Sequence, residues 1–429
     1  MYKSALAISE RLAKANPQAY EPDLAASYNN LAVLYKDTQR FEESESMYKS
    51  ALAIHERLAK ANPQTYEPDL AASYNNLAIL YSDTMRYHES ESMYKSALAL
   101  RERLARANPQ AYDADLANSY NNLANLYFAA QRFQESEAMY KSAIAIRKRL
   151  AKANPQTYKP DLADSYNNLA NLYFATQRFQ ESEAMYKSAI AIRERLAKVN
   201  PQAYEPDLAA SYNNLANLYS DTQRLQESEA MYKSAFAIHE RLAKATPQAY
   251  EPDLAASYNN LAILYSDIQR LQESEEMYKL AIAIRERLAK TNPQAYEPDL
   301  ANSYNNLANL YFATQRFQES EAMYKLALAI RERLAKANPQ AYEPALAESY
   351  NNLAATYYYT RQYQECETMY KLAIAIRERL AEDDPQLYGS DLADVYDNLA
   401  IVYKHTHRFV ESEALANAAA AIRECLGIE

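Results

Sequence analysis

The chain repeats itself every 46 residues. Pro17, Pro63, Pro109, Pro155, Pro201, Pro247, Pro293, Pro339 and Pro385 stand at that interval. The stretch from Pro22 to Asn62 returns after each with few changes, and once more, degraded, after Ser390. A fixed period of this size marks a stacked repeat, in which each unit touches only its neighbours and the array grows along one dimension. The period therefore overrides the two or three globular domains that 429 residues would otherwise suggest.

One unit reads as two helices. Pro22 and Asp23 suit the opening of a leading helix, proline at its first position and an acid at the positive end of the dipole. Leu24, Tyr28, Leu31 and Tyr35 then fall on one helical stripe. Asp37-Thr38-Gln39-Arg40 is a short polar connection. A trailing helix follows, with Glu42, Glu43 and Glu45 near its start and His55, Arg57 and Lys60 near its end, the charge order a helix dipole favours. Its apolar stripe is Phe41, Met47 or Tyr48, Ala51, Leu52 and Leu58. The prolines at 63 and 68 predict a stiff, non-helical linker between units. The expected fold is thus an all-α solenoid of antiparallel helix pairs, roughly 17 and 19 residues long. Residues 1–15 form the second helix of a truncated unit, and 16–383 hold eight tandem units. Residues 384–429 form a degraded unit that reads as a cap, because Leu415-Ala416-Asn417-Ala418-Ala419 replaces the bulkier anchors found elsewhere.

Composition narrows the function. Gly389 and Gly427 are the only glycines, which leaves nothing for a phosphate-binding loop. The net charge of −10 is spread by copying. One unit carries Glu205, Asp207, Asp221, Glu227, Glu229 and Glu240 against Arg224, Lys233, Arg241, Lys244 and Lys198. That balance argues against a nucleic-acid or anionic-membrane partner. Cys366 and Cys425 have no CxxC companions, so a reducing compartment is expected. No apolar run reaches the roughly 18 residues of a membrane helix, and no secretory leader is visible. These points predict a cytoplasmic protein. Met1-Tyr2-Lys3 matches Met47-Tyr48-Lys49 inside a unit, so the chain opens in mid-repeat, as part of a longer protein or from an internal start.

The unit resembles the tetratricopeptide repeat. Tyr28, Leu31, Ala32, Tyr35, Phe41, Ser44, Tyr48 and Ala51 occupy that family's signature spacing. Asn29-Asn30-Leu31-Ala32 with Leu34-Tyr35, and Ser46-Met47-Tyr48-Lys49 with Ala51-Leu52-Ala53-Ile54, are similar to the kinesin-light-chain type, which bacteria also use in interaction proteins. Ala32 stands where the family often has Gly, Ser44 where it has Ala, and Pro63 comes seven residues later than the usual terminal proline. The resemblance implies a superhelix whose leading helices line a concave, peptide-binding groove.

Most variation among leading helices falls opposite the packing stripe, at positions equivalent to 26, 33, 36 and 37. If the resemblance holds, that face is the groove. Asn29, Asn75, Asn121, Asn167, Asn213, Asn259, Asn305 and Asn351 form a ladder of amides suited to the backbone of an extended ligand. Asn125, Asn171, Asn217 and Asn309 stand one turn on. Phe128, Phe174 and Phe312 lie off the packing stripe, as anchors for a partner side chain.

Nothing else suggests chemistry. His405 and His407 lack the further ligands a metal needs. His55, His88 and His239 replace Arg or polar residues and read as solvated. Cys366, between Glu365 and Glu367, lacks the positive surroundings that activate a thiolate. No catalytic constellation, cofactor site or metal site can be assembled. The sequence thus points to a non-enzymatic scaffold for a protein or peptide. The alternative is a regulatory or sensor array within a larger signalling protein. An RNA-reading array ranks last, because Asp37, Asp83, Asp221 and Asp267 occupy the face where bases would be needed.

Overall fold

The computed structural model describes residues 2–428, apart from the side chains of residues 2, 3 and 5. They form nineteen α-helices and, among the described residues, no strand. After α1 (Tyr2–Ala15) the leading helices are α2 (Pro17–Asp37), α4 (Pro63–Asp83), α6 (Pro109–Ala129), α8 (Pro155–Ala175), α10 (Pro201–Asp221), α12 (Pro247–Asp267), α14 (Pro293–Ala313), α16 (Pro339–Tyr359) and α18 (Pro385–His405). Each precedes a trailing helix: α3 (Phe41–Ala61), α5 (Tyr87–Ala107), α7 (Phe133–Ala153), α9 (Phe179–Val199), α11 (Leu225–Ala245), α13 (Leu271–Thr291), α15 (Phe317–Ala337), α17 (Tyr363–Asp383) and α19 (Phe409–Leu426). The chain divides into two compact bodies, one ending at Leu218 and the other beginning at Tyr219.

The predicted linker does not exist. Each leading helix starts at the earlier proline, and one residue, such as Asn62 with φ −141° and ψ 83°, separates it from the helix before. Asn62 Oδ1 accepts the Thr65 N–H at 3.3 Å, while Pro63 takes the first position, where a missing N–H leaves no bond unmade. Pro68 lies inside the helix. The carbonyl it cannot serve, four residues back, belongs to exposed Gln64. Ala114 replaces this proline in α6, and that helix keeps the same bounds. The cap, then, sets the start and the second proline is tolerated. In every pair but the last both helices are 21 residues long, longer than expected, and α19 has 18.

Within a unit the helices turn back through Thr38-Gln39-Arg40. Gln39 has φ 57°, and the Arg40 N–H returns to the Tyr35 carbonyl at 2.8 Å. The same left-handed position recurs at Met85, Gln131 and Arg361 without a glycine at any of them. The packing stripe is as expected except at Phe41, which is 37% exposed at the start of α3. Leu31, Tyr35, Tyr48 and Ala51 are buried, and Ala25, Ala32 and Ala51 are fully covered, which lets backbones approach closely. Ser44 donates its hydroxyl to the Ala32 carbonyl at 2.8 Å, pinning the second helix to the first. Cys366 takes this place in its unit, fully buried, and burial pushes its thiol up to about 12. In α19, Ala416 and Ala420 are exposed at the positions held by Tyr48 and Leu52 in α3.

Candidate functional site

The leading-helix surface opposite the stripe is where polar side chains collect. Successive leading helices meet through their amides. Asn122 donates to Asn75 at 3.1 Å, Asn168 to Asn121 at 3.4 Å and Asn214 to Asn167 at 3.3 Å. In the second body Asn306 donates to Asn259 at 3.3 Å, Asn352 to Asn305 at 3.4 Å and Asn398 to Asn351 at 3.3 Å. The ladder is therefore polarised. In six of the eight amides the carbonyl oxygen is consumed by the next unit, which corrects the expectation that every amide offers an acceptor outward. What stays available is the donor. No protein group bonds the Nδ2 of Asn75, Asn121, Asn167, Asn259 or Asn305, and none of these nitrogens is sealed from solvent. Asn75 and Asn305 are nonetheless only 9% and 4% exposed. Asn29 and Asn213 instead carry a buried Oδ1 without a partner. Asn351 also donates to Asn352.

Asn125 and Asn171 accept from the phenols of Tyr140 and Tyr186 at 2.5 and 2.6 Å, and Asn309 from Tyr324. Val33, Ile79 and Ile263 stand at this position in other units, where the phenols of Tyr48, Tyr94 and Tyr278 lie near Asp37, Asp83 and Asp267 instead. Asn at position 33 thus gives the buried phenol a bonded partner in three units, whereas an Asp at position 37 only lies near it, and one unit carries both Asn217 and Asp221. Asn217 is exposed.

Phe128, Phe174 and Phe312 are half-buried, not left in water. Each packs on the aromatic ring that opens its trailing helix, Phe133 at 5.9 Å, Phe179 at 6.0 Å and Phe317 at 5.6 Å between centroids. Phe312 also meets Tyr359, which is 59% exposed.

The reading of His55 and His239 as solvated is overturned. Both are buried, with Nδ1 at 2.6 Å from Ser73 Oγ and 2.7 Å from Ser257 Oγ. Burial lowers both imidazoles from their ordinary value, while Asp69 and Asp253 oppose the shift. Elsewhere the same joint holds a buried arginine. Arg147 donates to the Asp161 carbonyl at 2.9 Å, to Ser165 Oγ at 2.5 Å and to Asn118 Oδ1 at 2.7 Å. Position 26, read as part of the variable face, is therefore partly committed to this arginine, as Asp164 is to Arg193. His88 is exposed. His405 meets the Tyr358 hydroxyl at 3.1 Å, and no described group of three His, Cys, Asp or Glu could hold a metal.

Charged pairs link units as well as lying along single helices. Arg132 in one turn bridges back to Glu91 of the preceding unit and forward to Glu135, while lying 4.3 Å over the Tyr127 ring. The bond from Arg132 outweighs burial and holds the Glu91 carboxyl at about 2. Arg57 likewise reaches Glu21 on the leading helix.

The tetratricopeptide repeat family model matches residues 23–103, 69–149, 115–195, 207–287 and 299–379. No curated protein matches the sequence. Among solved structures, BtubC (BKLC) of P. vanneervenii is 28% identical, with a TM-score of 0.49, over 58% of this chain and 92% of its own. A kinesin light chain of Podosopora anserina with nearly identical TPR-like repeats is 21% identical, with a TM-score of 0.42, over 52% and 98%. A STAND protein of Pyrococcus horikoshii with a tetratricopeptide repeat sensor is 14% identical, with a TM-score of 0.54, over 85% and 54%.

Proposed function

Given that this chain belongs to the tetratricopeptide repeat family, we propose that it is a binding scaffold that lays an extended peptide segment of another protein across its leading helices. The observation that carries this reading is the row of amide N–H groups without a protein partner, one per unit, on Asn75, Asn121 and Asn167 and again on Asn259 and Asn305. Unmet donors at a regular interval suit the carbonyls of a main chain better than any single side chain. Phe128, Phe174 and Phe312, half-covered beside the row, add apolar area without needing to unpack. Among the described residues, no helix is long and apolar enough to cross a membrane. Residues 16–383 supply the working units. We read 384–429 as a cap because Ala416 and Ala420 offer nothing for a further unit to cover. A sensor array in a larger signalling protein would use the same binding step and differ only in what is attached.

The test is a random-peptide display selected on the intact chain, with the winners re-measured on Asn121→Asp/Asn167→Asp. Aspartate keeps an oxygen that accepts from Asn168 and Asn214 and replaces the donor with a charged acceptor, which repels a main-chain carbonyl. The winners should lose about tenfold or more in affinity, since each hydrogen bond contributes on the order of 1 kcal/mol. Winners that bind the variant unchanged would place the docking surface elsewhere.

A further inference from the structure

The leading-helix face of the first body is not uniform, and its two halves differ in a way folding does not require. On α2 and α4, Asp23, Asp37, Asp69 and Asp83 are exposed, and the base among them is Lys36, whose ammonium lies 3.3 Å from Asp83. The joint beneath holds His55, where the later joints of this body hold arginine. On α6 and α8 the balance is different. Arg147 faces Asp161 and Asp164, Arg193 pairs with Asp164, and Arg101 lies beside Asp115. Position 37 has become Ala129 and Ala175, beside Phe128 and Phe174. An acidic half thus adjoins an electrically balanced, aromatic half.

Asp37 and Asp83 are the last residues of their helices. A carboxylate there opposes the negative end of the dipole, so it costs stability that alanine in α6 and α8 does not. Each lies near the Tyr48 phenol without bonding it. A charge kept against the helix it sits on suits an outside cation.

Resting on the proposed docking face, we infer that its occupant in this body is an extended segment with two or three Lys or Arg side chains at one end, over α2 and α4, and apolar side chains at the other, over α6 and α8. The amide bonds between α4 and α6 and between α6 and α8 keep these helices side by side. At about 10 Å per helix, the centres of the two halves lie roughly 20 Å apart, which an extended chain spans in about six residues. Charge complementarity selects the basic end, and the balanced, aromatic half explains why a uniformly basic segment is not the best fit.

The test uses the full chain and two labelled probes, followed by fluorescence anisotropy. One is Lys-Arg-Lys, a six-residue Gly/Ser spacer and Phe-Leu-Phe; the other carries Glu-Asp-Glu in place of the basic triplet. The basic probe should bind at least tenfold tighter and weaken steeply with salt. Asp37→Asn/Asp83→Asn should cost it about tenfold, while Glu42→Gln/Glu382→Gln, an equal charge change elsewhere, should leave it unaltered. Equal binding of the two probes, or equal losses in the two variants, overturns the inference. If the inference fails but display-selected peptides still lose affinity on Asn121→Asp/Asn167→Asp, the docking face stands and only the occupant's chemistry is wrong. If neither variant moves any peptide, both readings fall.

Discussion

At the scale of single residues, the array uses polar side chains as fasteners. Ser44 holds two helices of a unit together by a bond to the Ala32 carbonyl, and its counterparts Ser90 and Ser136 do the same. The column at position 55 holds successive units together, by arginine in most and by histidine in two. Those histidines give the array a pH dependence with a definite sign. Burial puts the folded value below the ordinary 6.5, so the folded chain binds fewer protons than the unfolded one. The stabilisation is complete above that value and is lost as pH falls below it. Arg101 and Arg285 occupy the same joint over Ala72 and Ala256, so arginine should suit Ala26 and Ala210 as well. In His55→Arg/His239→Arg the drop in Tm between about pH 7.5 and 5.5 should be smaller than in the parent, read by circular dichroism. An equal drop in both would show that neither imidazole titrates in the joint.

At the scale of an element, the leading helix shows which local signals win. Of two prolines five residues apart, the pattern pointed to the second as the start, and the helix begins at the first. The asparagine before the first of them decided the matter, because Asn62 satisfies an otherwise orphaned N–H at the helix end and nothing comparable precedes Pro68. The second proline is then a tolerated defect. Pro68→Ala should restore the bond to the Gln64 carbonyl and raise the urea midpoint, by about 1 kcal/mol and at most the roughly 3 kcal/mol of a helix-interior proline. A lower midpoint would mean that the ring, by restricting the unfolded chain, contributes more than the missing bond.

At the scale of the whole molecule, the helices within each body pack chiefly on their neighbours in sequence, with α12 touching α14 as well. Stability is then a sum of units and joints, and units are interchangeable where the joints match. Excising Pro155–Asn200 removes one 46-residue period and joins Asn154 to Pro201, which reproduces an existing junction. The shortened chain should keep its helical signal per residue and melt only slightly earlier. Excising Pro155–Gln177 instead brings two trailing helices into succession. It should lose helical signal well beyond the deleted residues, because α7 and α9 cannot cover each other's stripes. Equal behaviour of the two deletions would contradict nearest-neighbour stacking.

The period, the alternation of helices and the buried stripe of Leu31, Tyr35, Tyr48 and Ala51 were all readable from the sequence, since burial at a helical spacing is a local pattern. So was the face carrying Asn121 and Phe128. Which atoms on that face remain available was not, because their partners lie far along the chain. The oxygen of Asn121 is taken by Asn168, 47 residues on, and Asn125 serves Tyr140 on the following helix. The same distance hid the burial of His55, whose bond goes to Ser73 on α4. The Asn-Asn pair in every unit but the last, and the Asn that alternates with Val or Ile at position 33, were the signals present. Only the stacking of one unit on the next fixes which of those polar groups are used up within the fold and which are left for another molecule.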